Sequence, residues 1–287
     1  MNSPTMNAPV APQNPQPAGS KKTLTLVLGL IGALVILGVI ATSAWRASHS
    51  LSSSNTTQSL NTEGIAELDV EVDAGKFNIL FAEVPTATLD VQSSRSGEWK
   101  LQRDGSSLLV RSPNDWGDWC FTGCDWDENE VTLTLPNSLN SGELDAVLKM
   151  SAGEYSVDGN FNDLIMEMSG GTLEAAGAAN GLFVELGAGK TDIDMADVQA
   201  ANFNVSAGRI DSTLTGSSPN NVQADVSAGM LNLTLPKDSY NVSEDISAGS
   251  LDNSLLVDSS SPHMVKVEVS AGNVVLRPGA EATTPKK

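Results

Sequence analysis

The sequence predicts an all-β protein: a right-handed parallel β-solenoid with repeats of about 20 residues, preceded by one transmembrane helix. Short runs such as Leu68–Val72 and Val131–Leu135 alternate apolar and polar residues with the period of a strand. Gly, Ser, Asn, Thr and Asp are abundant, which favours turns and short strands over helices. A Ser-Ala-Gly triplet also returns at nearly regular intervals, which is typical of repeat architectures.

The N-terminal region predicts a membrane anchor. Residues 1–22 are rich in Pro, Asn, Ala and Gln and contain no acidic residue, so we expect a disordered cytoplasmic tail. Residues 23–45 carry no charge and are long enough to cross a bilayer as one helix. Lys21 and Lys22 precede this stretch, and the positive-inside rule therefore places the following chain outside the cell. The alternative is a cleaved signal peptide with a small-residue site at 42–44, although the apolar region of such peptides is shorter.

The chain beyond the anchor is strongly acidic. All 35 acidic residues but only 14 of the 16 basic residues follow residue 45, so this part carries a formal charge of −21. Such a surface repels nucleic acid and anionic lipid headgroups and favours cations or basic partners. Composition divides the region into a Ser/Thr/Asn-rich linker at 46–63, a repeat domain at 64–278 and a disordered tail at 279–287.

The repeat is defined by its small triplets. The residue before each triplet is apolar, and the apolar positions change from odd to even offsets across it. Because side chains alternate strictly along a strand, each triplet must contain a bend or bulge that resets the phase. Glycine suits this position since it adopts positive φ and permits close backbone approach. The predicted corner glycines are Gly75, Gly153, Gly171, Gly189, Gly208, Gly229, Gly249 and Gly272. A β-sandwich of hairpins is the alternative architecture.

Three positions or pairs depart from the simple pattern. Glu244 and Thr191 are polar residues in otherwise apolar rows. If successive repeats stack in parallel, Glu167 meets Glu185 and Asp192 meets Asp211, which places like charges side by side. A solvated acidic face is one interpretation of these rows, and a divalent cation such as calcium bridging them is the other. No residue pattern predicts an organic cofactor.

The repeated pattern apolar-x-apolar-Ser-Ala-Gly-x-apolar, together with Leu-Thr-Leu-Pro at 133–136 and 233–236, resembles the bacterial putative-adhesin β-solenoid domains. This is a family of unknown function, also called toastrack-like. The resemblance covers roughly residues 64–278 and implies a solenoid on a single membrane helix, linked to surface adhesion or envelope-stress sensing. It implies no catalytic motif.

The segment 112–130 lies outside the repeat pattern. Cys120 and Cys124 are the only cysteines, and outside the cytoplasm two such close cysteines predict a disulfide. Trp116, Trp119 and Trp126 lie among acidic residues of the same segment. They predict either a small core over one face of the repeats or a recognition surface for a sugar, peptide or protein.

Catalytic and nucleotide-binding interpretations fit less well. Gly189-Lys190-Thr191 ends like a phosphate-binding loop, but the required earlier glycine is Val184, so we expect no nucleotide. His49 and His263 are the only histidines, and neither lies in a pattern for Ser-His-Asp catalysis. The sequence therefore predicts a non-enzymatic, extracellular binding or structural module whose partner is a surface protein or glycan. A glycan-active enzyme on the same scaffold is the alternative, and it needs two carboxylates flanking a cleft.

Overall fold

The computed structural model describes residues 54–93, 98–113 and 130–281. These residues form 18 β-strands and one 3-10 helix, Asn137–Leu139, and none of them lies in an α-helix, which confirms the all-β prediction. The strands are, in chain order, β1 Ser54–Leu60, β2 Glu67–Ala82, β3 Ala87–Ser93, β4 Lys100–Asp104, β5 Ser107–Arg111, β6 Glu130–Pro136, β7 Asp145–Met168, β8 Thr172–Leu186, β9 Lys190–Ala196, β10 Ala200–Val205, β11 Arg209–Thr215, β12 Asn221–Val226, β13 Met230–Lys237, β14 Ser239–Ile246, β15 Ser250–Asn253, β16 Leu256–Val257, β17 Met264–Val269 and β18 Asn273–Glu281.

The described residues contain no helix that is long and apolar enough to cross a membrane. The anchor predicted at 23–45 lies outside the described residues, as do the tail at 1–22 and most of the linker.

Strands from neighbouring repeats pair in parallel and form two ladders. Ladder A consists of the segments that precede the triplets, namely the end of β8 followed by β10, β12, β17 and β14. Ladder B consists of the segments that follow the triplets, namely the start of β8 followed by β9, β11, β13, β18 and β15. The long strands β2 and β7 continue through a corner and contribute to both ladders.

Side chains from both ladders share one apolar core. In the repeat around Gly187–Gly189, Val184 and Leu186 are buried before the triplet, and Thr191 and Ile193 are buried after it. The spacing between Leu186 and Thr191 is odd, so the buried face changes parity across the corner, as the sequence predicts. Each ladder therefore presents its other side, with the polar rows, to solvent.

The last two repeats do not stack in chain order. β17 pairs with β12 on one side and with β14 on the other, and β18 is placed likewise between β13 and β15. The C-terminal repeat is thus inserted into the stack, and the repeat of β14 and β15 forms its end. Asp225 consequently neighbours Glu268 rather than Asp245, unlike the order expected from the sequence.

The end position explains the anomaly at Glu244. In β14 the core-facing positions lose their cover, and Glu244 and Ile246 are exposed. A charge that points toward the core side of an edge strand prevents another strand from adding there. Glu244 therefore replaces an apolar residue where no further repeat covers it.

The other end of the stack is closed differently. β3 pairs antiparallel with β6, β1 pairs antiparallel with β3, and β4 and β5 form a hairpin. Trp99 stacks on Phe77 with ring centroids 5.7 Å apart, and it is almost fully buried. This antiparallel layer gives the first parallel strands an apolar cover.

Candidate functional site

Several residues singled out by the sequence lie outside the described residues. These are Cys120 and Cys124 of the predicted disulfide and Trp116, Trp119 and Trp126 of the predicted interaction segment. The search for a site therefore rests on the surfaces of the two ladders.

The predicted corner glycines lie on top of one another at one edge of the stack. Gly75, Gly153, Gly171 and Gly189 have φ values of 118°, 125°, 118° and 112°. A Cβ on Gly153 would lie 2.0 Å from the carbonyl oxygen of Gly75, and the same contact recurs at the next two corners. Side chains are excluded here because the backbones of successive repeats touch, so these glycines hold the stack together.

The remaining corner glycines serve the same close approach without positive φ. A Cβ on each of them would lie 2.3–2.9 Å from a carbonyl oxygen of the neighbouring repeat. They are Gly208, Gly229, Gly249 and Gly272. The contact between Gly249 and Gly272, and that between Gly272 and Gly229, follow the inserted order of the last repeats.

An open groove of about 640 Å³ runs along the solvent side of ladder B, and we call it the acidic groove. Its outward-facing lining residues come from five successive strands, β7, β8, β9, β11 and β13. They are Ser156, Asp158, Glu174, Ala176, Asp192, Asp194, Asp211, Thr213, Asn232 and Thr234. Ala176 lies between Asp158 and Asp194 in the register, and its short side chain leaves a depression there.

Part of the acidic groove is neutralised by ion pairs. Lys190 Nζ lies 2.6 Å from Asp192 Oδ2, and Arg209 Nε lies 2.7 Å from Asp211 Oδ2. Asn232 Nδ2 donates a further hydrogen bond of 2.6 Å to Asp211 Oδ1. Asp192 and Asp211 are direct neighbours in the ladder, as expected, and these two cations offset their repulsion.

The ion pairs also hold the protonation states of this part. Hydrogen bonding from Arg209 lowers the pKa of the Asp211 carboxyl, and the bond from Asn232 acts in the same direction. Hydrogen bonding to Asp192 raises the pKa of Lys190, and hydrogen bonding to Asp211 raises the pKa of Arg209. Asp211 is therefore held as an anion, whereas a general acid needs a carboxyl that retains its proton.

A second part of the acidic groove carries unneutralised charge. Among the described residues no ion pair involves Asp158, Glu174 or Asp194, which surround Ala176. Within this described part of the chain no three His, Cys, Asp or Glu side chains converge closely enough to hold a metal ion. The three carboxylates thus present separate negative charges along an open surface.

His263 belongs to a polar cluster at the turn between the ladders. Its Nδ1 donates to the carbonyl of Pro219 at 2.9 Å, and its Nε2 lies 3.7 Å from Asp238 Oδ2. Ser218 Oγ donates to the same Asp238 oxygen at 2.9 Å. Because the serine is bonded to the carboxylate and not to the imidazole, the cluster does not form a nucleophile and base pair.

The solvent side of ladder A holds a feature that the sequence analysis missed. Ile165 and Phe183 are neighbours in the register, face outward, and are only partly buried. Each is the middle member of three consecutive apolar residues, within 164–166 and 182–184. Strict alternation forces such a middle residue to the solvent side, so the pattern could have revealed this apolar patch.

Neither a protein-family model nor a curated protein sequence matches the chain. Three similar solved structures are a putative cell adhesion protein from Clostridium sporogenes, a putative adhesin from Bacteroides fragilis and a putative lipid binding protein from Parabacteroides distasonis. Their identities to this chain are 13%, 11% and 11%, and their TM-scores are 0.37, 0.39 and 0.33. The matches cover 79%, 78% and 78% of this chain and 100%, 97% and 97% of the respective neighbours. Identities and TM-scores this low establish neither a family nor a function for this protein.

Proposed function

We propose that the protein is a surface-anchored, adhesin-like binding module without enzymatic activity. In this proposal residues 23–45 span the cell membrane with the N-terminus in the cytoplasm, and the repeats stack outside as coils of a right-handed parallel β-solenoid. The parallel register between successive repeats supports the solenoid, since each repeat contributes one strand to each ladder. Right-handed crossovers are the rule for parallel strands.

The observation that carries the binding proposal is the acidic groove. Its carboxylates project from adjacent strands of a continuously hydrogen-bonded ladder, so their spacing is set by the backbone. Asp158, Glu174 and Asp194 keep their charge available, whereas Asp192 and Asp211 are occupied by Lys190 and Arg209. An open, rigid and negatively charged surface suits a basic segment of a partner protein.

The glycan-active alternative receives less support from the same groove. A glycosidase needs one carboxyl that stays protonated opposite one that stays charged. Asp211 is held as an anion by Arg209, and the other carboxylates are repeated along the ladder rather than gathered as one pair across a cleft. A binding surface explains this periodic arrangement without a further group.

The charge proposal is tested by binding of a fluorescent oligolysine peptide to the full-length protein in detergent. We expect the triple variant Asp158→Asn, Glu174→Gln, Asp194→Asn to bind it more weakly than the wild type, and the wild-type affinity to fall as salt is added. The matched control is Glu185→Gln, Glu244→Gln, Asp245→Asn, which removes the same formal charge from ladder A. Equal loss in both variants would show that net charge alone attracts the peptide, and would refute a specific groove.

The location is tested separately on intact cells that produce the full-length protein. We expect an added protease to remove the part of the chain beyond residue 45 while a cytoplasmic marker stays whole. Protection of that part in intact cells, with digestion after lysis, would refute the extracellular placement.

A further inference from the structure

The apolar patch on ladder A forms the floor of a second groove, of about 260 Å³, on the side of the protein away from the acidic groove. Ile165 and Phe183 provide outward-facing apolar side chains on neighbouring strands. Beside Phe183 the adjacent outward positions are Gly181 and Ala200, which pair with each other in the register. Because these two residues have almost no side chain, they leave one side of the Phe183 ring uncovered.

Polar side chains border this floor, and they offer acceptors rather than donors. Asn202 follows Phe183 in the register, and its Oδ1 is buried without a hydrogen-bond partner. Gln223 follows Asn202, and its Nε2 donates to Asp225 at 3.0 Å, which leaves its carbonyl oxygen as an acceptor. Asp163 extends over Gly181, since a Cβ built on that glycine would lie 2.2 Å from Asp163 Oδ1.

The unpartnered oxygen of Asn202 indicates what is missing from the groove. A buried acceptor without a donor is unfavourable, and native proteins seldom keep one unless something else supplies the hydrogen bond. The complementary group must therefore bring hydroxyl or amine donors to the border while covering the phenyl ring with an apolar face. Two of the three bordering acceptors are neutral amide oxygens, which favours hydroxyl groups over an ammonium ion.

We propose that this groove binds a single neutral sugar ring of a glycan, stacked on Phe183 and hydrogen-bonded through its hydroxyl groups to Asn202, Gln223 and Asp163. A pyranose has one face of C–H groups and a circumference of hydroxyl groups, which matches the floor and the border. The volume lies below the range of about 300–1,000 Å³ that is usual for drug-sized ligands, so one ring fits and a larger ligand extends into solvent. This inference deepens the proposed binding function by assigning a ligand class to a site separate from the acidic groove.

The test is saturation-transfer NMR on the full-length protein with three probes: methyl β-D-glucopyranoside, methyl β-D-galactopyranoside and methyl N-acetyl-β-D-glucosaminide. The detergent must have no sugar headgroup, because a glycoside detergent would compete. We expect saturation of the ring C–H protons of at least one probe, and about tenfold weaker binding in Phe183→Ala, since an aromatic contact contributes on this scale. Ala200→Leu fills the uncovered side of the ring and should also abolish binding.

Asn204→Ala is the matched control for Asn202→Ala. Both residues face outward from β10, but Asn204 lies beyond the groove. We expect weaker binding for Asn202→Ala and unchanged binding for Asn204→Ala. Circular dichroism identifies any variant that fails to fold, and Ala200→Leu, at an exposed position, tests the site if Phe183→Ala does so.

Three results would overturn the proposal. One is the absence of saturation transfer to all three glycosides, and another is unchanged binding in both Phe183→Ala and Ala200→Leu. The third is displacement of the bound glycoside by Nα-acetyl-lysine methylamide at equal concentration, which would identify a cation site. Oligolysine binding and protease exposure on cells do not involve this groove, so failure of the sugar proposal is distinguishable from failure of the proposed function.

Discussion

Replacing the corner glycine Gly171 by alanine tests whether backbone contact between repeats sets the stability of the stack. Its φ of 118° lies where residues with a Cβ are strained, at a cost of about 1–3 kcal/mol. The new Cβ would also lie 2.1 Å from the carbonyl oxygen of Gly153. Relief requires the two backbones to separate, which weakens the hydrogen bond of 2.9 Å from the Lys190 N–H to the Gly171 carbonyl, by about 1 kcal/mol.

We therefore expect Gly171→Ala to lower the free energy of unfolding by about 2–4 kcal/mol. The preceding glycine provides a matched control, because a Cβ on Gly170 would meet no atom closer than 3.9 Å. Gly170→Ala should leave stability unchanged or raise it by up to about 1 kcal/mol, since alanine reduces the freedom of the unfolded chain. Urea unfolding of the full-length protein, followed by far-UV circular dichroism, measures both. Equal stability of the two variants would refute the role assigned to the corner contact.

Three further predictions concern single side chains. Thr191→Val should raise the free energy of unfolding by about 1 kcal/mol in urea unfolding, because the Thr191 hydroxyl is fully buried without a partner, and a decrease would contradict this. Tyr240 is buried, donates to the carbonyl of Pro236 at 2.7 Å, and has its pKa raised by burial to about 12. Since its folded pKa is the higher, its contribution to stability is complete below pH 10 and is lost between about pH 10 and 12; Tyr240→Phe should remove that part of the pH dependence, and identical profiles for the two proteins would contradict the assignment. Glu244→Leu should increase self-association in light scattering, whereas Glu185→Leu on a covered strand should not, because only the former removes the inward-pointing charge of the end strand.

The local features of the fold were accessible from the sequence for a simple reason. Whether a residue of a strand is buried depends on its alternation with its neighbours, so the buried rows and the parity change around Leu186 and Thr191 follow from the residues alone. The same alternation could have placed Phe183 on the outside, but three apolar residues in a row resemble a fully buried strand. The ion pair of Lys190 with Asp192 lies within one strand at a spacing of two residues, where both side chains share a face.

The order of the repeats could not be predicted in this way. β12 has the right pattern and register to accept either β14 or β17, so the sequence offers nearly equivalent neighbours. The choice depends on which repeat tolerates an uncovered face, and only the folded stack shows that Glu244 lies at its end. The acidic groove likewise depends on distant strands, because Asp158 and Asp194 surround Ala176 only after three repeats are aligned.

By itself, then, the sequence determined that the chain is β-structured and repetitive, that its corners require glycine, and that its exterior is acidic. These properties arise from the period of side chains along one strand and from residue chemistry, which act over a few positions. The tertiary structure decided which repeat ends the stack, which carboxylates lie beside a cation, and that Asn202 is buried beside an uncovered aromatic ring. Those outcomes depend on pairing between strands that share one pattern, and such pairing is settled only by the packing of the whole stack.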